Sequence, residues 1–593
     1  MPDNLNKLAR FWQELKRRRV IHVITVYASA AFVIIELINN LTEPLNLPDN
    51  LATIVIVVLA VGFPLVIVFS WLYDLTSKGI ELTRSLSEEQ EVDKVAVPNV
   101  WRIATIVSFI VIVGLVTLNI IGSTKGLRPG DVKSLAILPI DNFTGDDQLD
   151  WVAAGMHSSL IGDMGKVSGL RVLGKMTSNA IKASDLSAAR IAKENNVQAL
   201  VETALTCYGD MVCVEVSVIT TFPEEKVIWV EEYMEEKSQI LNLYKRMARR
   251  ISEELKVNLT QQDEILLVES VRVDTAAYDA FLKGIYLKEL FDPRAQREAI
   301  ESFKRAIEIE PEWAAPYAMI AGTVAGLRQV GAASDSDMIL MYRNLNKALA
   351  LDPNSVEAHH ANAVIAAWTE FDWVKAEKEF LKAIELNPSF ERSHMMYAHV
   401  LTILRRTEEA LYQGKIAQEL DPENPFVLGL YWVVLLEAGE CQEALYYLEK
   451  GLSNNPDHFF LKGRLRDTYM CIGDYDNAFK TMKNNNANNW DNHGITDSLD
   501  RVYYEKGWMP FLHELTRMNV EVMHLTPQSR PDLFFERYFL FGKYEDAIDC
   551  LEGLYNWDND NPNWPYFATI KYYDKLKDIP GYLDFLSRFN LAE

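Results

Sequence analysis

Proline returns on a regular beat through the second half of this chain. Pro311, Pro353, Pro388, Pro422 and Pro456 stand at intervals of 42, 35, 34 and 34 residues. Four of them end amphipathic stretches rich in small residues: "AIESFKRAIEIEP", "AEKEFLKAIELNP", "ALYQGKIAQELDP" and "ALYYLEKGLSNNP". A period near 34 fits two helices and two turns, a unit that cannot bury its apolar face alone and must stack on its neighbours. Alanine falls where two helices must approach closely, at Ala299, Ala376, Ala410, Ala444 and Ala478, and again at Ala306, Ala348, Ala383 and Ala417. This predicts an all-α superhelix over 275–593, with about eight helix pairs. The second pair has a long first helix or an insertion near "RQVGAASDSDM", and the seventh is degenerate near "VYYEKGWMPFLHEL". "DIPGYLDFLSRFNL" has the look of a terminal cap that shields the last apolar face.

Aligning the repeats also predicts a concave binding face. It places Glu357, His360, Val364, Arg392, Met395, His399, Phe426, Val433 and Phe460 there. Clustered His, Arg and aromatic side chains suit a protein or peptide partner. Phe426 and Phe460 fit gaps between helices equally well. His359 and His360 are adjacent on one helix, about 100° apart, which argues against a shared metal.

The first 122 residues have a different character. Val20 to Ile38, Leu51 to Tyr73 and Ile103 to Ile121 are apolar runs of about 20 residues, the length that spans a bilayer as a helix. A basic amphipathic segment over 1–19, ending "LKRRR", suits the surface of an anionic membrane. Lys and Arg flank the first run and crowd 74–102, whereas "NNLTEPLNLPDN" has none. The positive-inside rule then predicts three transmembrane helices over 20–122 in a bacterial inner membrane, with a cytoplasmic N-terminus and the body delivered to the periplasm. Glu36 reads as a carboxylate near the outer end of the first span, and Pro64 as a kink in the second.

A linker over 123–133 leads to a second pattern. "SLAILPI" and "LRVLG" read as strands, "WVAAGMHSSLIGDMGKV" and "LSAARIAKENN" as helices. Three β-rich runs follow, "VQALVETALTCY", "MVCVEVSVIT" and "EKVIWVEEYME", then an amphipathic helix to about Leu259. The order describes an α/β domain over 134–262. Cys207 and Cys213 flank its hairpin. A two-residue loop at Gly209-Asp210 would put their sulfurs on opposite faces as separate thiols, and a five-residue loop would let them bridge. Asp141, Asp146, Asp147 and Asp150 crowd one loop, without the spacing of an EF-hand.

These stretches carry a resemblance. "FWQELKRRRVIHVITVYASAAFVIIELI", "LNLP" and "GFPLVIVFSWLYDLTSKGI" look like the anchor of a family of bacterial membrane proteins. "LAILPIDNFTGDDQLDWVAAGMHSSLIGDM" and "IAKENNVQALVETAL" resemble that family's TolB-N-terminal-like, or FlgO-like, domain. The 34-residue period resembles tetratricopeptide repeats. The resemblance implies kinship with the extracytoplasmic part of cyclase-associated and CadC-type regulators, whose relatives carry a cyclase or winged-helix domain before the membrane. It also implies a middle domain without catalysis.

Composition and motifs narrow the function. The net charge is −24, and the first 122 residues are nearly balanced, so the acid lies in the body. An acidic body excludes a nucleic-acid partner, which needs a basic face. The sequence has no G-x-x-x-x-G-K-[ST], H-E-x-x-H or G-x-S-x-G, and no G-x-G-x-x-G after a strand. The expectation is a membrane-anchored, non-enzymatic interaction scaffold or sensor, without cofactor or metal, that meets lipid through its spans. The alternative is an accessory subunit of a transport or secretion complex.

Overall fold

The computed structural model describes residues 20–42, 51–76, 79–82 and, with a few short gaps, 132–591. The chain divides into two compact units, Met1–Gly126 and Leu127–Glu593.

In the first unit, α1 (Val20–Thr42) and α2 (Leu51–Leu72) precede a small antiparallel ribbon of β1 (Tyr73–Thr76) and β2 (Gly79–Leu82). α1 and α2 pair through Tyr27. Its hydroxyl donates to the Leu59 carbonyl at 2.7 Å, and its ring lies 5.7 Å from Phe63. Pro64 sits inside α2 without ending it. No helix among the described residues is long and apolar enough to cross a membrane. That finding overturns the expected three-helix anchor and the multi-pass inner-membrane placement with a periplasmic body. The expectation rested on the length of the apolar runs in the sequence alone. The third run, the basic segment over 1–19 and the side chain of Glu36 lie outside the described residues.

The second unit begins with a six-stranded sheet. Its strands are β3 (Ser134–Ile137), β4 (Asp141–Asn142), β5 (Arg171–Val172), β6 (Ala199–Tyr208), β7 (Met211–Thr220) and β8 (Lys226–Glu236). The order is β5-β3-β6-β7-β8, with β4 also on β6. β3 runs parallel to β5 and β6, and β6, β7 and β8 form an antiparallel meander. Strict alternation drives the meander: Val201 and Leu205 of β6 and Val214, Val216 and Val218 of β7 all point to one buried face. α3 (Asp150–Met164) and α6 (Ile240–Glu254) cover that face with Met156, Leu160, Leu243, Met247 and Ile251. On the other face α4 (Lys175–Ala183) and α5 (Ala188–Asn195) cover only the β3 and early β6 end, through Ile181 and Ile191 against Ala136, Leu138 and Leu200. A short α7 (Gln261–Leu266), with a Thr260–Asp263 capping box, closes the module.

A shift in register between Leu205 and Cys207 settles the cysteine question. The bulge sets Cys207 directly opposite Cys213, and the two form a disulfide with Cα atoms 4.8 Å apart. The separate-thiol alternative therefore fails, because alternation was counted without the extra residue of the bulge. Cys441 and Cys471 form a second disulfide, and Cys550 is a buried free thiol.

The remainder is a succession of antiparallel helix pairs: α8 (Thr275–Lys288) with α9 (Pro293–Ile309), α10 (Ala314–Gln329) with α11 (Asp335–Leu351), α12 (Val356–Ile365) with α13 (Trp373–Leu386), and α14 (Glu391–Ile403) with α15 (Thr407–Leu420). There follow α16 (Pro425–Glu437) with α17 (Cys441–Asn454), α18 (Phe459–Lys462) and α19 (Leu465–Ile472) with α20 (Tyr475–Asn492), α21 (Thr496–Lys506) with α22 (Trp508–Glu521), and α23 (Pro531–Leu540) with α24 (Tyr544–Trp557). The nine alanines of the repeat are all buried, so the helices meet at small side chains. The repeat proline leaves a carbonyl that the next helix binds. Tyr317 donates to Pro311 at 3.0 Å, and His359 and His394 bind Pro353 and Pro388 at 2.9 and 3.0 Å.

Short helices α25 (Trp564–Thr569), α26 (Tyr573–Leu576) and α27 (Tyr582–Ser587) end the chain. They fold back on earlier pairs. Trp373 Nε1 donates to the Phe589 carbonyl at 2.8 Å, Asn590 Nδ2 to that of Phe371 at 3.1 Å, and Asn563 Nδ2 to that of Gln329 at 3.1 Å.

The α/β module docks on the loops between pairs. Gly174 N–H donates to the Leu420 carbonyl at 2.7 Å, and Val172 N–H to the Ser389 hydroxyl at 3.0 Å. The Asp421 carboxylate accepts from both the backbone N–H and the hydroxyl of Thr177, at 2.8 and 2.7 Å. The β5 edge of the sheet is thereby covered by the array. One hydrophobic core runs from Val132 to Leu591 through sheet and array alike.

Candidate functional site

The first helices of the leading pairs, α8, α10, α12, α14 and α16, with the first turn of α9, line a cavity of about 380 Å³. Its floor is cut by small residues of "AMIAGTVAGL": Ala318, Gly322 and Gly326, with Ala361 opposite. A Cβ at Gly326 would meet nothing within 4 Å, so that position opens directly into free space. Met319, Phe390, Met396 and Phe426 form apolar walls, and Lys288, Arg392 and Glu357 supply charge.

The electrostatics follow from crowding. Lys288 Nζ lies 3.8 Å from the Met319 sulfur, a weak acceptor. Burial, and then the Arg392 guanidinium, push the Lys288 ammonium down to about 8. His360 stands 3.0 Å from the Ser393 hydroxyl and edge-on to Phe380 and Phe390. Burial first, then Arg392 and Lys288, hold its imidazole down to about 3, so it is neutral. Two cations crowded into a half-apolar cavity, Arg392 already 3.7 Å from the Glu391 carboxylate, favour an anion carried on an apolar body. Below them Glu391 is pushed up to about 7, by burial first and then by Asp421.

The structure gathers Glu357, His360, Val364, Arg392 and Phe426 around this cavity. It does not bring Met395, His399 or Val433 to it. Met395 and Val433 are buried, and His399 is buried with Nε2 donating to the Leu430 carbonyl at 3.0 Å. Phe460 lies in α18, its side chain outside the described residues. Lys288, Met319 and Met396 were missed. Lys288 belongs to the first pair, which precedes the first aligned proline, and the 42-residue interval blurs the register of α10. The glycine spacing of Gly322 and Gly326 was the available signal.

Two carboxylates of the acidic loop of the α/β module are paired. Asn142 Nδ2 donates to the Asp150 carboxylate at 2.8 Å, and Lys182 pairs with Asp141 at 2.8 Å. Among the described residues no group of three or more His, Cys, Asp or Glu could hold a metal ion.

No family model matches the sequence. A curated relative from Rhizobium meliloti (strain 1021), "Putative adenylate cyclase 3", is 26% identical over 239 residues, 40% of this chain and 40% of that protein. The chain thus spans less than half the length of the curated relative it matches. Among solved structures, the chain is similar to a thermophilic tetratricopeptide-repeat protein of Thermus thermophilus (19% identity, 33% of this chain, 100% of that one, TM-score 0.28). It is also similar to pilF of Pseudomonas aeruginosa (16%, 41%, 99%, TM-score 0.29). A third is YrrB, a repeat protein with an unusual peptide-binding site (21%, 37%, 99%, TM-score 0.25). The helix-pair architecture of this chain stands on its own period and packing.

Proposed function

We propose that this chain is a non-enzymatic protein-interaction scaffold whose repeat array, over 275–593, grips a peptide segment in the concave cavity. The carrying observation is the cavity itself, with Lys288 and Arg392 set among Met319, Met396, Phe390 and Phe426. Its occupant is an acidic side chain or terminal carboxylate beside a bulky apolar residue. Glu357, His360, Val364, Arg392 and Phe426 serve as partner contacts. The α/β module over 134–262 is the TolB-N-terminal-like domain of the resembled family, and it buttresses the array.

Peptide libraries displayed on phage and panned against the full chain test this reading. Enriched peptides should carry a carboxylate next to an aromatic or aliphatic residue. Gly326→Phe fills the cavity without a backbone clash, and Arg392→Glu reverses one cation. Each should weaken binding by about tenfold or more with little change in melting temperature. Affinity should also fall as pH rises through about 8, where Lys288 loses its charge. Peptides that bind Gly326→Phe as tightly as the unaltered chain would remove the cavity from the function.

A further inference from the structure

The sheet has two edges with opposite fates. β5 is covered by the array, through Val172 on Ser389 and Gly174 on Leu420. At the other edge β8 runs for 11 residues, and on the side away from β7 the one backbone bond among the described residues is local, from the terminal Glu236 N–H to the Glu235 carboxylate at 3.2 Å. A long open edge is a template for another strand, and folded proteins usually shorten it, cover it or charge it.

The side chains of β8 alternate in a telling way. On the inner face Glu231 and Glu235 are neutralised by arginines of α6, Glu231 by Arg250 at 3.6 Å and Glu235 by Arg246. On the outer face Val230 is 55% and Met234 66% exposed, with Glu232 exposed between them. The outer face continues across the meander. Glu215 of β7 stands directly opposite Glu232, and Glu202 of β6 is exposed one row away. Among the described residues no basic side chain pairs with Glu202, Glu215 or Glu232. Like charges directly opposite across two strands destabilise a sheet. The same strand thus has arginine partners where it is packed and none where it is open, and the helices α4 and α5 stop short of this half of the face.

We propose that the β8 edge, with the adjoining acidic outer face, docks an extended segment of a partner protein in which every second residue, the set that shares the outer face, runs apolar, basic, apolar. The partner's backbone adds as a further strand beside β8, its apolar side chains lie on Val230 and Met234, and its cations answer Glu232 and Glu215. This surface is separate from the concave cavity and does not depend on the function proposed for it.

The probe is a short synthetic peptide with valine and lysine taking turns at every second position and threonine between them, titrated into the full chain by fluorescence anisotropy, with amide exchange read in parallel. Binding should protect the β8 amides. A peptide with glutamate for lysine, and one of the same composition interrupted by proline, should fail to bind. Glu215→Lys/Glu232→Lys should weaken binding by about tenfold, and the isosteric Glu215→Gln/Glu232→Gln by a few fold, since each close charge pair is worth of order one power of ten in affinity. Glu301→Lys/Glu308→Lys on exposed α9 is the control and should change little. Equal loss in that control, equal binding of the proline-interrupted peptide, or no protection at β8 overturns the proposal. So does a dimer of the chain whose β8 amides are protected before peptide is added, because a second copy then occupies the edge.

Discussion

Asp421 serves as a helix cap from 244 residues away in sequence. α4 begins at Gly174, which has no side chain to receive the first orphan amides, and the array's carboxylate takes the Thr177 N–H instead. Gly174 is required sterically, not by its backbone angle of φ −68°: a Cβ there would meet Asp421 Cγ at 2.4 Å. Gly174→Ala should therefore cost about 1–3 kcal/mol, in the range of an overpacked core. Asp421→Ala should cost about 1–2 kcal/mol as a lost cap. The double variant should be less destabilised than the sum, because the alanine methyl then has room. Urea unfolding of the four chains measures the cycle, and strict additivity would mean that the two residues do not act as one contact.

At the scale of elements, two helices each hold a histidine neutral in the core. His157 of α3 donates Nε2 to the Ile137 carbonyl at 2.8 Å, and burial holds it down to about 4. His399 of α14 is likewise held down to about 4 by burial. The unfolded chain takes up these protons near the ordinary value of about 6.5, so the folded state binds fewer between the two values. Stability is then fully present above about pH 6.5 and falls as pH drops toward 4, by up to roughly 3 kcal/mol for each histidine. Glu391, held up near 7, works the other way: its contribution is largest when protonated and is lost as pH rises through 7. With His360, held down to about 3 in the same way, three imidazoles outweigh one carboxyl, so the urea midpoint should fall on going from pH 7 to pH 5. His399→Gln should flatten that slope, whatever it does to the absolute stability. An unchanged slope in this variant, with the fold retained, would mean that His399 does not stay neutral.

For the second unit as a whole, cohesion is uneven. A single core joins the sheet to pairs one to five, to pair eight and to the returning C-terminal helices. Pairs six and seven instead close around their own cluster, from Ala478 to Leu515, with Phe479 stacked on Tyr503 at 3.9 Å. Local stability follows the number of buried contacts shared with the rest. Amides of α20 to α22 should exchange before those of α12 to α16 under native conditions. Removing 582–593 should speed exchange in α13, because Trp373 loses the Phe589 carbonyl and its aromatic neighbour Phe371 loses Phe589. Uniform exchange across the array would show that it opens as a single cooperative body.

Periodicity is what the sequence by itself determined. The 34-residue beat, the alanines at helix contacts and the two-residue alternation of β6 to β8 are local facts, since residue spacing decides which side chains share a face before any partner arrives. α4 was not legible, because its cap comes from Asp421. Neither was the Cys207–Cys213 bridge, which depends on one bulge residue. The list of groove residues was half legible for the same reason. A repeat alignment tells which face a residue is on, but not whether a neighbouring helix closes over it. That is why Arg392 and His360 reach the cavity while His399 and Met395 lie in the core. Run length suggested an anchor that no described helix provides. Where Asp421, Ser389, Phe589 and Gln329 find their partners, hundreds of residues away, was decided only in the tertiary structure. Those contacts depend on how each small rotation between helix pairs adds up along the array, a sum that no local window of sequence contains.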